Sequence, residues 1–115
     1  MMIKHAENPV REVPPKSLMD AMEVFVGEGF KNGWLKSTAG LSGTAQGLLI
    51  QSKGGKLTLK DGPFTEAKEI VGGFAIVETK TKEEAVAIAT QFMELHRVHW
   101  PEFECVSEVR VMEEF

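Results

Sequence analysis

The run Asp61-Gly62-Pro63-Phe64-Thr65-Glu66-Ala67-Lys68-Glu69 passes directly into Ile70-Val71-Gly72-Gly73-Phe74-Ala75-Ile76-Val77-Glu78, and this stretch decides how the chain is read. Phe74 to Val77 is apolar at successive positions, as a central strand covered on both faces requires. Gly72-Gly73 precedes a strand, whereas a phosphate-binding loop opens a helix, so the pair is read as a bulge or a close-packed strand start. Ahead of it, Asp-Gly-Pro is a turn signal. A segment that only reversed the chain would need little more. Here Glu66, Lys68 and Glu69 follow at once between regular elements, which makes this the first place to look for function.

Working outward, Leu48-Leu49-Ile50-Gln51 and Leu57-Thr58-Leu59-Lys60 flank Ser52-Lys53-Gly54-Gly55 and read as a hairpin. Trp34 to Leu41 begins as a strand and passes into a Gly- and Ser-containing loop. Upstream, Met19, Met22, Val26 and Phe30 fall at helical spacing, with Leu18 and Phe25 on the same broad side. Ser17 with Asp20 suggests a cap for this helix, and Asn32-Gly33 its end. Pro9, Pro14 and Pro15 keep the segment before it irregular, after a short strand at Met1 to Lys4. Downstream, Thr81-Lys82-Glu83-Glu84 forms a capping box, followed by a stripe of Ala85, Ile88, Ala89, Phe92 and Leu95. Pro101 stops that helix. A last strand places Phe103, Cys105, Ser107, Val109 and Val111 on one side, and Val106, Glu108, Arg110 and Met112 on the other.

The order strand, helix, strands, strand, helix, strand predicts an α+β fold: a ferredoxin-like antiparallel sheet with both helices on one face. The 115 residues suit one domain spanning 1–115. Its uncovered sheet face needs a partner, and a homodimer formed through paired sheets supplies one.

The charge balance of −4 and scattered Lys and Arg argue against a nucleic-acid groove. The longest apolar stretch, Ile70 to Val77, is far below the ~20 residues of a membrane helix. One cysteine, Cys105, precludes an internal disulfide and fits a reducing compartment; its side of the last strand assigns it to the core. With no apolar stretch at the start, the expectation is a cytoplasmic domain.

Asp61, at a strand end, can accept a proton, bind a polar ligand, or hold the turn by bonding its N–H groups. Glu66 and Glu69 beside Lys68 form either a solvated salt-linked patch or, where water is excluded, a catalytic group. In the second case Glu66 is a general base of raised pKa and Lys68 stabilises an oxyanion or carboxylate. Arg110 can grip a substrate carboxylate through its fork or pair across the sheet edge. His96 and His99 share a helix face near its end, where positive charge is favoured; a metal would need a third ligand such as His5 or Glu102. With one cysteine and three histidines there is no closed ligand set, and neither metal nor cofactor is expected.

Asp61-Gly62-Pro63-Phe64 with Glu66, Lys68 and Glu69 resembles the signature of the YCII-related family, in its DGPF-domain branch. The resemblance extends through Lys82-Glu83-Glu84-Ala85 and into Glu108-Val109-Arg110. It implies a dimeric α+β barrel, related in fold to muconolactone isomerases, and in some members a link to extracytoplasmic-function sigma factors. Thr65 and Ala67 exchange the family's usual Ala and Thr. Gly40-Leu41-Ser42-Gly43 lacks the His-Pro of many relatives. Ser17-Leu18-Met19 stands where YciI-like relatives carry a first-helix histidine, so their His-Asp dyad does not transfer. Two functions follow as expectations. One is a small-molecule binder or enzyme, with Asp61, Glu66 and Lys68 catalytic, Glu69 and Arg110 binding, and proton transfer on a carbonyl or lactone as the reaction. The other is a regulatory module, associated with a sigma factor. An enclosed pocket at the signature would favour the first; a solvated signature beside an apolar surface would favour the second.

Overall fold

A computed structural model describes residues 1–7, 13–64 and 66–113. The elements are β1 (Met2–His5), α1 (Lys16–Asn32), β2 (Leu35–Gly40), a short 3-10 turn (Thr44–Gln46), β3 (Leu48–Lys53), β4 (Lys56–Asp61), β5 (Ile70–Val77), α2 (Lys82–His99) and β6 (Val106–Glu108). Four strands form an antiparallel sheet in the order β2-β5-β1-β6, and among the described residues β3 pairs with β4 in a separate two-stranded sheet. Each helix thus joins two strands that have a third strand between them, the split βαβ unit of ferredoxin-like folds. The preferred right-handed crossover carries both helices to the same face, where they pack on each other.

Pleat alternation assigns the two faces. Ile3, Gly73, Ala75, Val77 and Leu35 face the helices, and the core is Leu18, Leu35, Ala75 and Ala89. Met2, Phe74 and Ile76 face the other way, with the Lys4–Glu108 ion pair (3.3 Å) among them. Gly72 is the extra residue of a bulge: Ile3 pairs with Gly73 and Lys4 with Val71. Its missing side chain makes room for a histidine, since a Cβ there would stand 2.3 Å from His5 Nε2.

The helix ends differ from one another. Thr81 Oγ1 accepts from the Glu84 N–H (3.1 Å), and the Glu84 carboxylate reaches back to the Lys80 N–H (3.0 Å). Gly33 closes α1 with φ 83°, its N–H donating to Phe30 O. The expected Ser17 cap is not formed. Helix α1 begins at Lys16 after Pro15, and Asp20 pairs with Lys16 instead (2.9 Å). A proline there fixes φ and needs no donor, which starts the helix without a side-chain cap. The buried stripe of α1 follows the expected one at Leu18, Met22, Phe25 and Val26 and departs from it at Met19 and Phe30. Leu18, Phe25 and Gly29 turn inward, while Met19 and Phe30 are half exposed. Gly29 is the reason: Trp34 and Leu35 pack where its Cβ would be, within 2.9 Å. The last strand is shorter than expected: among the described residues its pairing with β1 covers Val106–Glu108, and residues 103–105 and 109–112 lie outside it. The irregular segment around Pro9 and the position of Thr65 lie outside the described residues.

The hairpin stands apart from this framework. Its turn uses Gly54 and Gly55 at φ 59° and 78°, the left-handed pair a two-residue reversal demands. Strands β3 and β4 make their main contacts with each other. The radius of gyration is 16.1 Å, against about 13 Å for a compact chain of this length. Register places Leu48, Ile50, Leu57 and Leu59 on one hairpin face, each 47% or more exposed.

Candidate functional site

The signature run is held as a clasp. The Gly62 N–H donates to Gly47 O (2.9 Å), and the Phe64 N–H to Thr44 Oγ1 (3.1 Å). The Glu7 carboxylate accepts from the Thr44 N–H (2.7 Å) and from its hydroxyl. These Thr44 bonds hold the Glu7 carboxyl below its ordinary value. Position 62 admits only glycine, since a Cβ would fall 1.6 Å from Thr44 O. The Phe64 ring lies over Gly47, and a Cβ there would sit 3.4 Å from it. The backbone of the run therefore fastens the base of the hairpin to the 3-10 turn.

The expected catalytic groupings do not assemble there. Asp61 is exposed, and its carboxylate bonds no backbone N–H among the described residues; the turn is held by Gly62 and Phe64 instead. Glu66 is exposed and pairs with Lys60, not with Lys68. That bond lowers its pKa, the opposite of the raised value a general base needs. Glu66 and Glu69 share a cleft of about 670 Å³ with Thr44, Leu49 and Phe64, whereas Asp61 and Lys68 lie outside it. Arg110 is exposed beyond the end of β6, and Glu108 pairs with Lys4. Among the described residues no group of three or more His, Cys, Asp or Glu could hold a metal.

A second space lies under the helices. Between helices and sheet lies a cavity of about 630 Å³, lined by apolar side chains such as Met22, Phe25, Val26, Ile88 and Phe92. The Phe25 ring lies 5.3 Å from Trp34 and 6.3 Å from Phe92, so aromatic packing joins α1, α2 and the sheet around it. His96 and His5 line the same cavity. His96 is buried, 8% exposed, where a surface pair with His99 was expected. It continues the inward stripe of α2 four residues beyond Phe92, a spacing that could have revealed it. Its Nδ1 is 3.0 Å from Phe92 O, and the His5 Nδ1 is 2.8 Å from Ala6 O. Phe103 lies 5.2 Å from the His5 ring, 6.5 Å from His96, and stacks on Trp100 at 4.3 Å. Cys105 is half-buried nearby in sequence, and burial raises its thiol pKa, which makes it an unreactive thiol rather than a nucleophile.

Fold and cavity together define a ferredoxin-like α+β protein with a half-open apolar cavity under its helices. The model of the YCII-related domain matches residues 32–95, and the chain belongs to that family. The matched segment holds the signature and both hairpin strands; His5, His96 and Phe103 lie outside it. No curated protein matches the chain.

Proposed function

We propose that this protein binds a small molecule, and that the ligand sits in the cavity between helices and sheet rather than at the signature. One observation carries the reading: the 630 Å³ space is walled by apolar side chains with two imidazoles at one part, the composition of a ligand pocket. Proton transfer next to a carbonyl or lactone would run through the His96 imidazole, not through Asp61 or Glu66. The test is a thermal-shift panel of small apolar carbonyl compounds and lactones on three chains. A responding ligand should stabilise the wild type and Asp61→Asn equally. Val26→Phe, which fills the cavity, should abolish the response. Loss of the shift in Asp61→Asn with retention in Val26→Phe would place the site at the signature instead.

A separate observation supports a contact role for the hairpin. Its exposed apolar face, Leu48, Ile50, Leu57 and Leu59, lies beside a solvated signature. We propose that a second copy covers it, forming a homodimer. A stable interface takes about 800 Å² from each partner, more than four aliphatic side chains supply. The open sheet face with Met2, Phe74 and Ile76 would therefore contribute too. Sedimentation should give a dimer at micromolar concentration, and Ile50→Glu a monomer. A monomeric wild type would favour a different protein on this surface, a sigma factor included.

A further inference from the structure

We infer that the cavity selects an uncharged, mostly apolar molecule carrying a hydroxyl group, which it recognises through His96 Nε2. This rests on the cavity being the ligand site. The argument comes from the hydrogen bonds already made by the cavity walls. A backbone carbonyl only accepts, so the Nδ1 that faces Phe92 O in His96, and Ala6 O in His5, carries the proton. In the neutral ring Nε2 is then a bare acceptor. His96 Nε2 has no hydrogen-bond partner among the described residues but is not sealed from solvent; among those residues the fully buried side-chain atom without a partner is Ser107 Oγ. It is the ring nitrogen farther from the helix backbone, on a side chain that lines the cavity. A ligand that fills the cavity takes water away from that acceptor, and a ligand hydroxyl restores the bond.

The other polar groups agree. The Thr38 hydroxyl is committed to Phe74 O (2.8 Å). Glu23 at the wall is a further acceptor. Trp100 also lines the cavity and stacks on Phe103, which meets both imidazoles, and a hydroxyl can accept from an indole N–H while donating to Nε2. No Lys or Arg side chain among the described residues lines the cavity, and the Met1 ammonium at its wall is committed to Ala75 O (2.9 Å), so a carboxylate or phosphate among the aromatic walls has no cationic side chain to pair it. Arg110, the residue expected to take a carboxylate, is not part of it.

Isothermal titration with three probes of one frame tests this: naphthol, its methyl ether and naphthoate, at about pH 8 where an ordinary imidazole is neutral. Naphthol should bind about five- to tenfold tighter than the ether, which keeps the shape and loses the donor. Naphthoate should bind at least about tenfold more weakly than naphthol. In His96→Leu, checked for native circular dichroism, naphthol and ether should come within about twofold of each other. Equal binding of naphthol and ether by the wild type overturns the inference while leaving the cavity as the site, and so does a preference for naphthoate. A naphthol preference that survives His96→Leu also overturns it. Should none of the three bind, the cavity reading itself fails and the inference with it.

Discussion

The cavity beneath the helices and the cleft beside the signature are similar in volume, about 630 and 670 Å³, and both have largely apolar walls, yet they differ in the ionisable groups they hold. The cleft gathers carboxylates that remain in water, where Glu66 meets Lys60 and its pKa falls. The cavity gathers aromatic and aliphatic side chains around a buried imidazole. A dense run of ionisable residues marks a place in the sequence, but chemistry needs groups held away from solvent, where an interaction is not screened. The specific residues of the signature are those whose backbone geometry is forced, Gly62 above all, while its charged side chains face water.

Substitutions can separate the two regions. Leu18→Ala should have the largest effect, about 3 kcal/mol, because Leu18 is fully buried under α1 and its removal leaves a hole in the framework. Urea unfolding should show hairpin and framework signals lost together at a lower midpoint. Gly62→Ala should cost about 1–3 kcal/mol by forcing the clasp open. Here hydrogen exchange should quicken over residues 44–64 while α2 keeps its protection. Similar quickening in α2 would show that the clasp supports the framework as well.

Acid should loosen the clasp. Hydrogen bonds from Thr44 lower the folded pKa of Glu7 below its ordinary 4.5. The stability they contribute is therefore full above about pH 4.5 and is lost as pH falls through the lowered folded value. Urea midpoints measured from about pH 6 to about pH 3 should fall less in Glu7→Gln than in the wild type. An unchanged pH slope in that variant would remove Glu7 from the clasp. The smallest effect should belong to Glu66→Gln, within about 0.5 kcal/mol, since its ion pair with Lys60 is exposed on both sides. Ligand response should persist in it; a loss would return the site to the signature.

The fold was legible because its determinants are local. The capping box at Thr81, the glycine stop at Gly33, the paired glycines of the hairpin and the apolar run of β5 each fix an element from a few neighbouring residues. The start of α1 and its buried stripe were less so. Pro15 starts the helix without the Ser17 hydroxyl, and Gly29 rather than Phe30 packs against Trp34 near the helix end. The site was the least legible part. His5, His96 and Phe103 come from β1, α2 and the segment before β6, and only the sheet order brings them together. A charge cluster is contiguous and visible, whereas a cavity exists only after packing.

An amide NMR titration of the full chain with naphthol tests the central claim most directly. The account predicts shifts concentrated at residues around the cavity, such as Ala75, Phe92, His96 and Phe103, with the amides of residues 61–69 unmoved. Shifts confined to Asp61 through Glu69 with the α2 amides silent would contradict it.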